Sequence, residues 1–165
     1  MRTSFCPYCG NKLIKKEIGD EGLVPYCLCC NKPLFDHMIP CVIMVCYNDN
    51  NEVVLAHEPN SRLPYVLIAG YTKIGEDLEE SVRREIKEEL GVEASNIQYL
   101  SSYFQESREN LMIGFSAKIN SNPEHISSEL AAIRLVGLKE AQGLLKDAKI
   151  ASKLLNDFIN KKIGN

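Results

Sequence analysis

Residues 70–92 read GYTKIGEDLEESVRREIKEELGV. Leu78, Val82, Ile86 and Leu90 recur there every four residues, which predicts an amphipathic helix opened by Gly75 and Asp77 and closed near Gly91. Glu85, Glu88 and Glu89 stand at i, i+3 and i+4, so their side chains rise together from a neighbouring face. Unpaired, three carboxylates at that spacing repel one another, and a bound cation reverses the penalty. All-oxygen donors select a hard ion, which makes Mg2+ the expected cofactor, with Mn2+ as its substitute. Arg84 is expected to orient Glu85 through a bidentate contact that lysine does not reproduce. Helices rich in Glu, Lys and Arg are usually only solvated faces. Gly70, at the end of the apolar stretch LPYVLIAG, and Glu76 set this one apart.

Taken together, the offsets fit the pattern G-x5-E-x7-R-E-U-x-E-E-x-G-U, with Ile86 and Val92 at the aliphatic positions U. This resembles the motif of the Nudix hydrolases, which cleave a nucleoside diphosphate linked to another group. The resemblance implies an α/β fold, the Nudix α/β/α sandwich with a mixed sheet between helices. It also implies that Glu85, Glu88 and Glu89 bind the catalytic metal, that one of them doubles as base, and that Arg84 braces Glu85. Glu76 is a supporting acidic residue in such enzymes, and the Gly70 carbonyl also reaches a metal. A metal ion at a diphosphate bridge neutralises charge that repels hydroxide and makes a bound water more acidic.

A second cluster precedes this one. Cys6-Pro7-Tyr8-Cys9 and Cys27-Leu28-Cys29-Cys30 form two C-x2-C pairs at a separation that suits a four-cysteine zinc ribbon. Four thiolates fit a tetrahedral Zn2+ and leave no open position, so the ion's role is structural. Cys29 competes with Cys30, but only Cys30 repeats the x2 spacing of the first pair. A disulfide framework is the weaker reading, because seven cysteines is an odd count and no secretory apolar stretch is visible. Residues 1–36 are read as the ribbon and 37–165 as the hydrolase domain. So short a ribbon buries too little to fold alone, and its metal is expected to hold it together.

Elsewhere, IPCVIMVCY, the turn NDNN and EVVLAHEP predict a hairpin, with Cys41 and Cys46 as small core residues. LPYVLIAG predicts a strand, IQYLSSYFQE and LMIGFSAKI an antiparallel pair, and 140–162 one long or two short helices. A ribbon ahead of a Nudix motif, with LMIGF at 111–115, is similar to the NADH pyrophosphatases, which split NAD(H) and in bacteria remove NAD caps from RNA. That likeness suggests Glu129 as a further acidic metal ligand and implies a homodimer. Where the subfamily carries SQPWPFP-x-S, this chain has Ser102 to Asn110 without tryptophan or proline. Tyr103 and Phe104 are the aromatic candidates there for stacking on a base. Arg62, Arg108 and Lys73 are candidate phosphate contacts, and His37, His57 and His125 receive no role.

With 45% apolar residues and a net charge of −3, the chain holds one proper core and lacks the basic stripe of a nonspecific nucleic-acid binder. No apolar run is long enough to span a bilayer. Reduced thiols point to the cytoplasm. The expected function is Mg2+-dependent hydrolysis of NAD(H), ADP-ribose or a related nucleotide to release a nucleoside monophosphate. NAD-capped RNA is a further expected partner. The competing reading is a non-catalytic nucleotide sensor whose ribbon docks RNA or protein, motivated by Lys12, Lys15, Lys16 and Lys32.

Overall fold

The structure is a computed structural model that describes residues 4–123 and 127–163; His125 lies outside them. The chain divides into two compact units, Met1–Met38 and Ile39–Asn165. In the first, strands β1 (Ile14–Glu17), β2 (Leu23–Cys27) and β3 (Lys32–Pro33) form an antiparallel sheet, with Tyr26 opposite both Ile14 and Pro33. All four residues of β1 are exposed, and among the described residues of this unit the buried apolar ones are Cys6, Val24, Tyr26 and Cys27. That is too small a core to offset the conformational entropy of ordering the chain.

The second unit is built on β4 (Ile39–Tyr47, IPCVIMVCY), in which residues 41–46 are all buried. Alternation sends Cys41, Ile43 and Val45 to one face and Val42, Met44 and Cys46 to the other, so a strand covered on both sides reads as a continuous apolar run. Around it lie β5 (Glu52–His57), β6 (Ile68–Tyr71), β7 (Ala94–Gln105), β8 (Asn110–Ile119) and β9 (Ala132–Gly137). The sheet order is β7-β8-β4-β5-β9, with β6 also paired to β4. Among the described residues only the β4–β8 pair is parallel; Cys41 stands opposite Met112 and Val42 opposite Ile113. Helix α1 (Leu78–Leu90) packs Val82, Ile86 and Leu90 on one face. Helices α2 (Leu138–Leu144) and α3 (Lys149–Ile163) cover the other through Ala141, Leu154, Leu155 and Phe158. The expected α/β/α sandwich with a mixed sheet is thus present.

Three local readings change. The hairpin of β4 and β5 pairs at Tyr47 and Val53, because β6 occupies the same edge of β4 from Cys41 to Met44. A strand edge offers one row of hydrogen bonds, so β5 turns away to pair with β9 along its length. The stretch LPYVLIAG forms a strand only from Ile68 onward; Pro64 lacks an N–H, and Val66 makes an isolated bridge to Ala56. Strand β9 went unread, since Arg134 interrupts its apolar pattern. On that edge Arg134 is free to reach Glu140 at 2.7 Å.

Helix α1 starts where the sequence says it should. Asp77 Oδ1 accepts from Glu80 N at 2.7 Å and Glu80 Oε2 accepts from Asp77 N at 3.1 Å, a reciprocal capping box. Gly91 closes the helix in the left-handed conformation at φ 69°. Asp77→Ala is expected to lower stability by about 1 kcal/mol with an unchanged denaturant m value, as measured by urea unfolding.

Candidate active site and metal centres

Glu85 sits at the centre of the site, with a residue exposure of 9%. Its carboxylate lies against Gly70 of β6 so closely that a Cβ added there would coincide with the carboxyl atoms. Glycine at position 70 is therefore a packing requirement, independent of any backbone conformation. Arg84 then locks the surroundings. Its Nε donates to Glu76 Oε1 at 2.6 Å, and Nη2 donates to Glu76 Oε2 and the Tyr71 carbonyl, both at 2.9 Å. Nη1 donates to Glu85 Oε1 at 2.6 Å and to Glu88 Oε2 at 3.1 Å. Five contacts match the five N–H donors of a guanidinium.

The bidentate contact expected between Arg84 and Glu85 is made to Glu76 instead. Neighbouring helical residues point about 100° apart, so the fork cannot face its own neighbour squarely, whereas Glu76 approaches from the loop before the helix. Ser81 Oγ and the Lys73 N–H also donate to Glu76, at 2.8 and 3.1 Å. The Arg84 contact, helped by these donors, holds the Glu76 carboxyl down to about 2. Lys73 Nζ lies 3.4 Å from Glu88 Oε1 on the exposed surface.

Glu85, Glu88 and Glu89 line one small cavity of about 230 Å³ together with Ser127, Ser128 and Glu129. The Ser127 N–H donates to the Glu89 carbonyl at 3.0 Å, tying this segment to α1 and bringing Glu129 to the glutamate trio. Burial, with the charges of Glu85, Glu129, Glu58 and Glu88, pushes the Glu89 carboxyl up to about 8. Carboxylates crowded this way form a donor set that a cation relieves.

A larger cleft of about 590 Å³ opens on the sheet face carrying α3. Cys41, Ile43, Leu67, Ala69 and Met112 floor it, Ala148, Ile150 and Ala151 wall it, and Gly70 and Tyr71 stand on the lining. Phe104, which is exposed, reaches this lining, and so does Arg108; Arg62 is exposed and does not. Tyr103 is directed elsewhere. It packs on the core beside α3, where its hydroxyl donates to Asp157, and burial with that contact raises its pKa to about 12.

In the N-terminal unit the thiols of Cys6, Cys9, Cys27 and Cys30 all lie within 4.8 Å of one another. Cys6 and Cys30 approach to 3.9 Å, Cys9 and Cys27 to 3.5 Å. Cys29 is exposed and outside the group. Each pair sits on a turn: Gly10, at φ 73°, donates to the Cys6 carbonyl at 2.9 Å, and the Cys30 N–H donates to Cys27 Sγ at 3.3 Å. Desolvation raises the Cys6 pKa, yet the Tyr8 and Cys9 N–H groups outweigh it and bring the thiol to about 7. Such a group could hold one metal ion.

The family description for the NUDIX domain matches residues 38–158. The chain belongs to the Nudix family. Among curated Nudix relatives, the NAD-capped RNA hydrolase NudC of Vibrio parahaemolyticus is 31% identical over 160 residues, covering 94% of this chain and 59% of that protein. NudC of Vibrio atlanticus is 33% identical over 113 residues, covering 68% of this chain and 41% of that one. This chain spans about half the length of the curated relatives it matches. A Nudix hydrolase from Nitrosomonas europaea superposes with a TM-score of 0.68 at 22% identity, over 84% of this chain and 80% of that one. The NUDIX domain of Shewanella oneidensis NrtR complexed with ADP ribose gives 0.63 at 16% identity, over 77% and 90%. These structures share the fold.

Several contributors to the site escaped the sequence reading. Glu58, just past β5, adds charge at Glu89 and lines the cleft, and Asn110, Lys149 and Lys153 line it too. None belongs to a local pattern, so only the fold collects them. Asp77 was read as the start of α1, and the D-x-x-E spacing that adds Glu80 to it as a capping box was also visible.

The raised Glu89 pKa carries a sign. Its neutral form is favoured by the fold, so this stabilisation is complete below pH 4.5 and is lost as pH rises through about 8. In buffer free of divalent cations, thermal melts are expected to show stability falling across that window. Glu89→Gln should flatten the profile.

Proposed function

We propose that this chain hydrolyses the diphosphate bond of a nucleoside diphosphate linked to another moiety, such as NAD(H) or ADP-ribose, and releases a nucleoside monophosphate. The observation that carries this reading is the convergence of Glu85, Glu88, Glu89 and Glu129 on one small cavity. The relatives named NAD-capped RNA hydrolase support it and extend the proposal to NAD-capped RNA ends.

Glu85, Glu88, Glu89 and Glu129, with the Gly70 carbonyl, would hold Mg2+ or Mn2+. The donor set fits: it is all oxygen, it is crowded enough to raise Glu89, and Arg84 takes one oxygen each from Glu85 and Glu88. Bound there, such an ion supplies charge neutralisation at the phosphates and a more acidic water. The rest falls to the protein. Arg84 fixes Glu85 and Glu88, and Glu76 fixes Arg84, so Glu76 and Arg84 position the carboxylates without touching the reacting atoms. One of the helix glutamates Glu85, Glu88 and Glu89 would also take the proton from the attacking water. Water oxygen bonds to phosphorus, the bridging P–O bond breaks, and the monophosphate leaves. The apolar cleft, whose lining takes in Glu58 and the Gly70 that lies against Glu85, would receive the base, with Phe104 on that lining.

Residues 1 to about 36 complete the proposal as a zinc ribbon, with Zn2+ on Cys6, Cys9, Cys27 and Cys30. The four clustered thiols and the small apolar core of that unit support it. The resemblance to NADH pyrophosphatases supports a cytoplasmic homodimer. No helix among the described residues is long and apolar enough to cross a membrane.

Incubation with Mg2+ and a panel of dinucleotides, with mass identification of both products, is expected to give a nucleoside monophosphate. Glu88→Gln and Glu89→Gln should each lower kcat by roughly tenfold or more with the circular dichroism spectrum retained. Unchanged turnover in both variants removes the mechanism, and tight nucleotide binding without product would favour a sensor. Zinc chelation should unfold the N-terminal unit, with loss of amide dispersion at residues 4–36 by NMR; retained dispersion contradicts a metal-held ribbon.

A further inference from the structure

The large cleft carries cations contributed by two separate elements. Arg108 stands in the turn 106–109, which joins β7 to β8 beyond the Gln105–Asn110 pair, and its N–H donates to the Gln105 carbonyl at 3.3 Å. Lys149 and Lys153 stand in the first turns of α3. All three are exposed and line the cleft. Lys73, Lys87, Lys118 and Arg134 each meet a carboxylate, whereas these three have no ion-pair partner among the described residues. The lining also carries Glu106 and Glu58, and the charge of Glu58 acts at Glu89. Three unpaired cations facing one cleft with an apolar floor make a local field that attracts an anion.

Strand register sets this patch apart from the glutamates. Strands β6 and β8 flank β4 on opposite edges, with Gly70 opposite Val42 and Asn110 opposite Ile39. Gly70, against which Glu85 lies, and the start of β8 are therefore two strand spacings apart across the sheet and three residues apart along it, about 14 Å on the diagonal. Helix α3 brings its lysines to the same far end. Leu154 packs on Gly114, which stands opposite Ile43, and the Phe158 ring lies 5.1 Å from that of Tyr47, so the helix runs alongside β4 with its first turn toward the start of that strand. Cys41, on the floor between, registers both fields: burial raises its pKa, the Arg108 charge lowers it and the Glu85 charge raises it. One diphosphate does not span from the glutamates to these cations. Given the nucleotide cleft proposed above, we infer that Arg108, Lys149 and Lys153 form a second anion subsite, which takes a phosphate of the substrate other than the scissile pair. The ligand is then a nucleotide with a phosphate beyond its diphosphate, either a monoester on the ribose or the phosphodiester that continues an RNA chain. Such a group presents several acceptor oxygens to charged donors, and contacts of that kind are stronger than neutral ones.

Ligands without a scissile bond probe the subsite apart from turnover. Isothermal titration of the full chain compares adenosine 5′-monophosphate with adenosine 2′,5′-bisphosphate, adenosine 3′,5′-bisphosphate and 5′-phosphorylated diadenylate. At least one of the last three should bind tighter than the monophosphate by roughly tenfold or more, and which one does so identifies the source as ribose monoester or RNA. Arg108→Ala, Lys149→Ala and Lys153→Ala combined should bring that ligand down to the affinity of the monophosphate while leaving the monophosphate's own in place. Should this variant fail to fold, Arg108→Gln alone should narrow the preference by roughly threefold. Lys87→Ala, Lys118→Ala and Lys139→Ala combined, the same change of charge outside the cleft lining, should keep the preference. Equal binding of all four ligands, no binding of any, a preference that survives the cleft variant, or one that the control variant also removes overturns the inference. A preference without product from any dinucleotide leaves it standing and removes the hydrolase reading, and product without a preference does the reverse.

Discussion

A guanidinium with five acceptors around it organises this site. Arg84 is largely buried, its charge is shared among Glu76, Glu85 and Glu88, and it is anchored to the Tyr71 carbonyl of β6. Three carboxylates can be held near one another only because this cation lies between them, and it does so while taking a single oxygen from Glu85 and from Glu88. The two oxygens of Glu76 are both consumed. One acidic residue is thus spent on holding the arginine, which leaves the others directed toward the cavity.

The fold makes that arrangement possible by bringing α1 onto β6. Glu85 reaches the strand only where no Cβ intervenes, at Gly70, and β6 is held in place by pairing along the first half of β4. The same β4 carries Cys41 and Ile43 on its other face, where they floor the cleft. Acidic cavity and cleft are therefore two sides of one buried strand system, and rigidity in β4 serves both. Glu89 lies at the C-terminal end of α1, where burial and four neighbouring carboxylates raise its proton affinity. The N-terminal unit has few buried apolar side chains among its described residues, and its four thiols lie within 4.8 Å of one another.

The helix, its caps, the trio of glutamates and the four cysteines were legible because each depends on spacing along a single element. Periodicity sets which face a side chain joins, and two C-x2-C turns set which thiols converge, including Cys30 in preference to Cys29. The doubly buried β4 was equally plain from its unbroken apolar run. Strand β9 was not, since an edge strand that tolerates Arg134 has no clean alternation.

What the sequence by itself determined is the local chemistry: which side chains are acidic, which are thiols, and on which turn of which element they stand. The tertiary structure decided their partners. That Arg84 grips Glu76 with two nitrogens, that Glu129 joins the trio, and that Asn110 lies buried on the lining of the cleft are outcomes of long-range packing. Neighbours on one element are fixed by helix and strand geometry, whereas neighbours across elements are fixed by how a whole sheet pairs and is covered, and no short window of sequence contains that information.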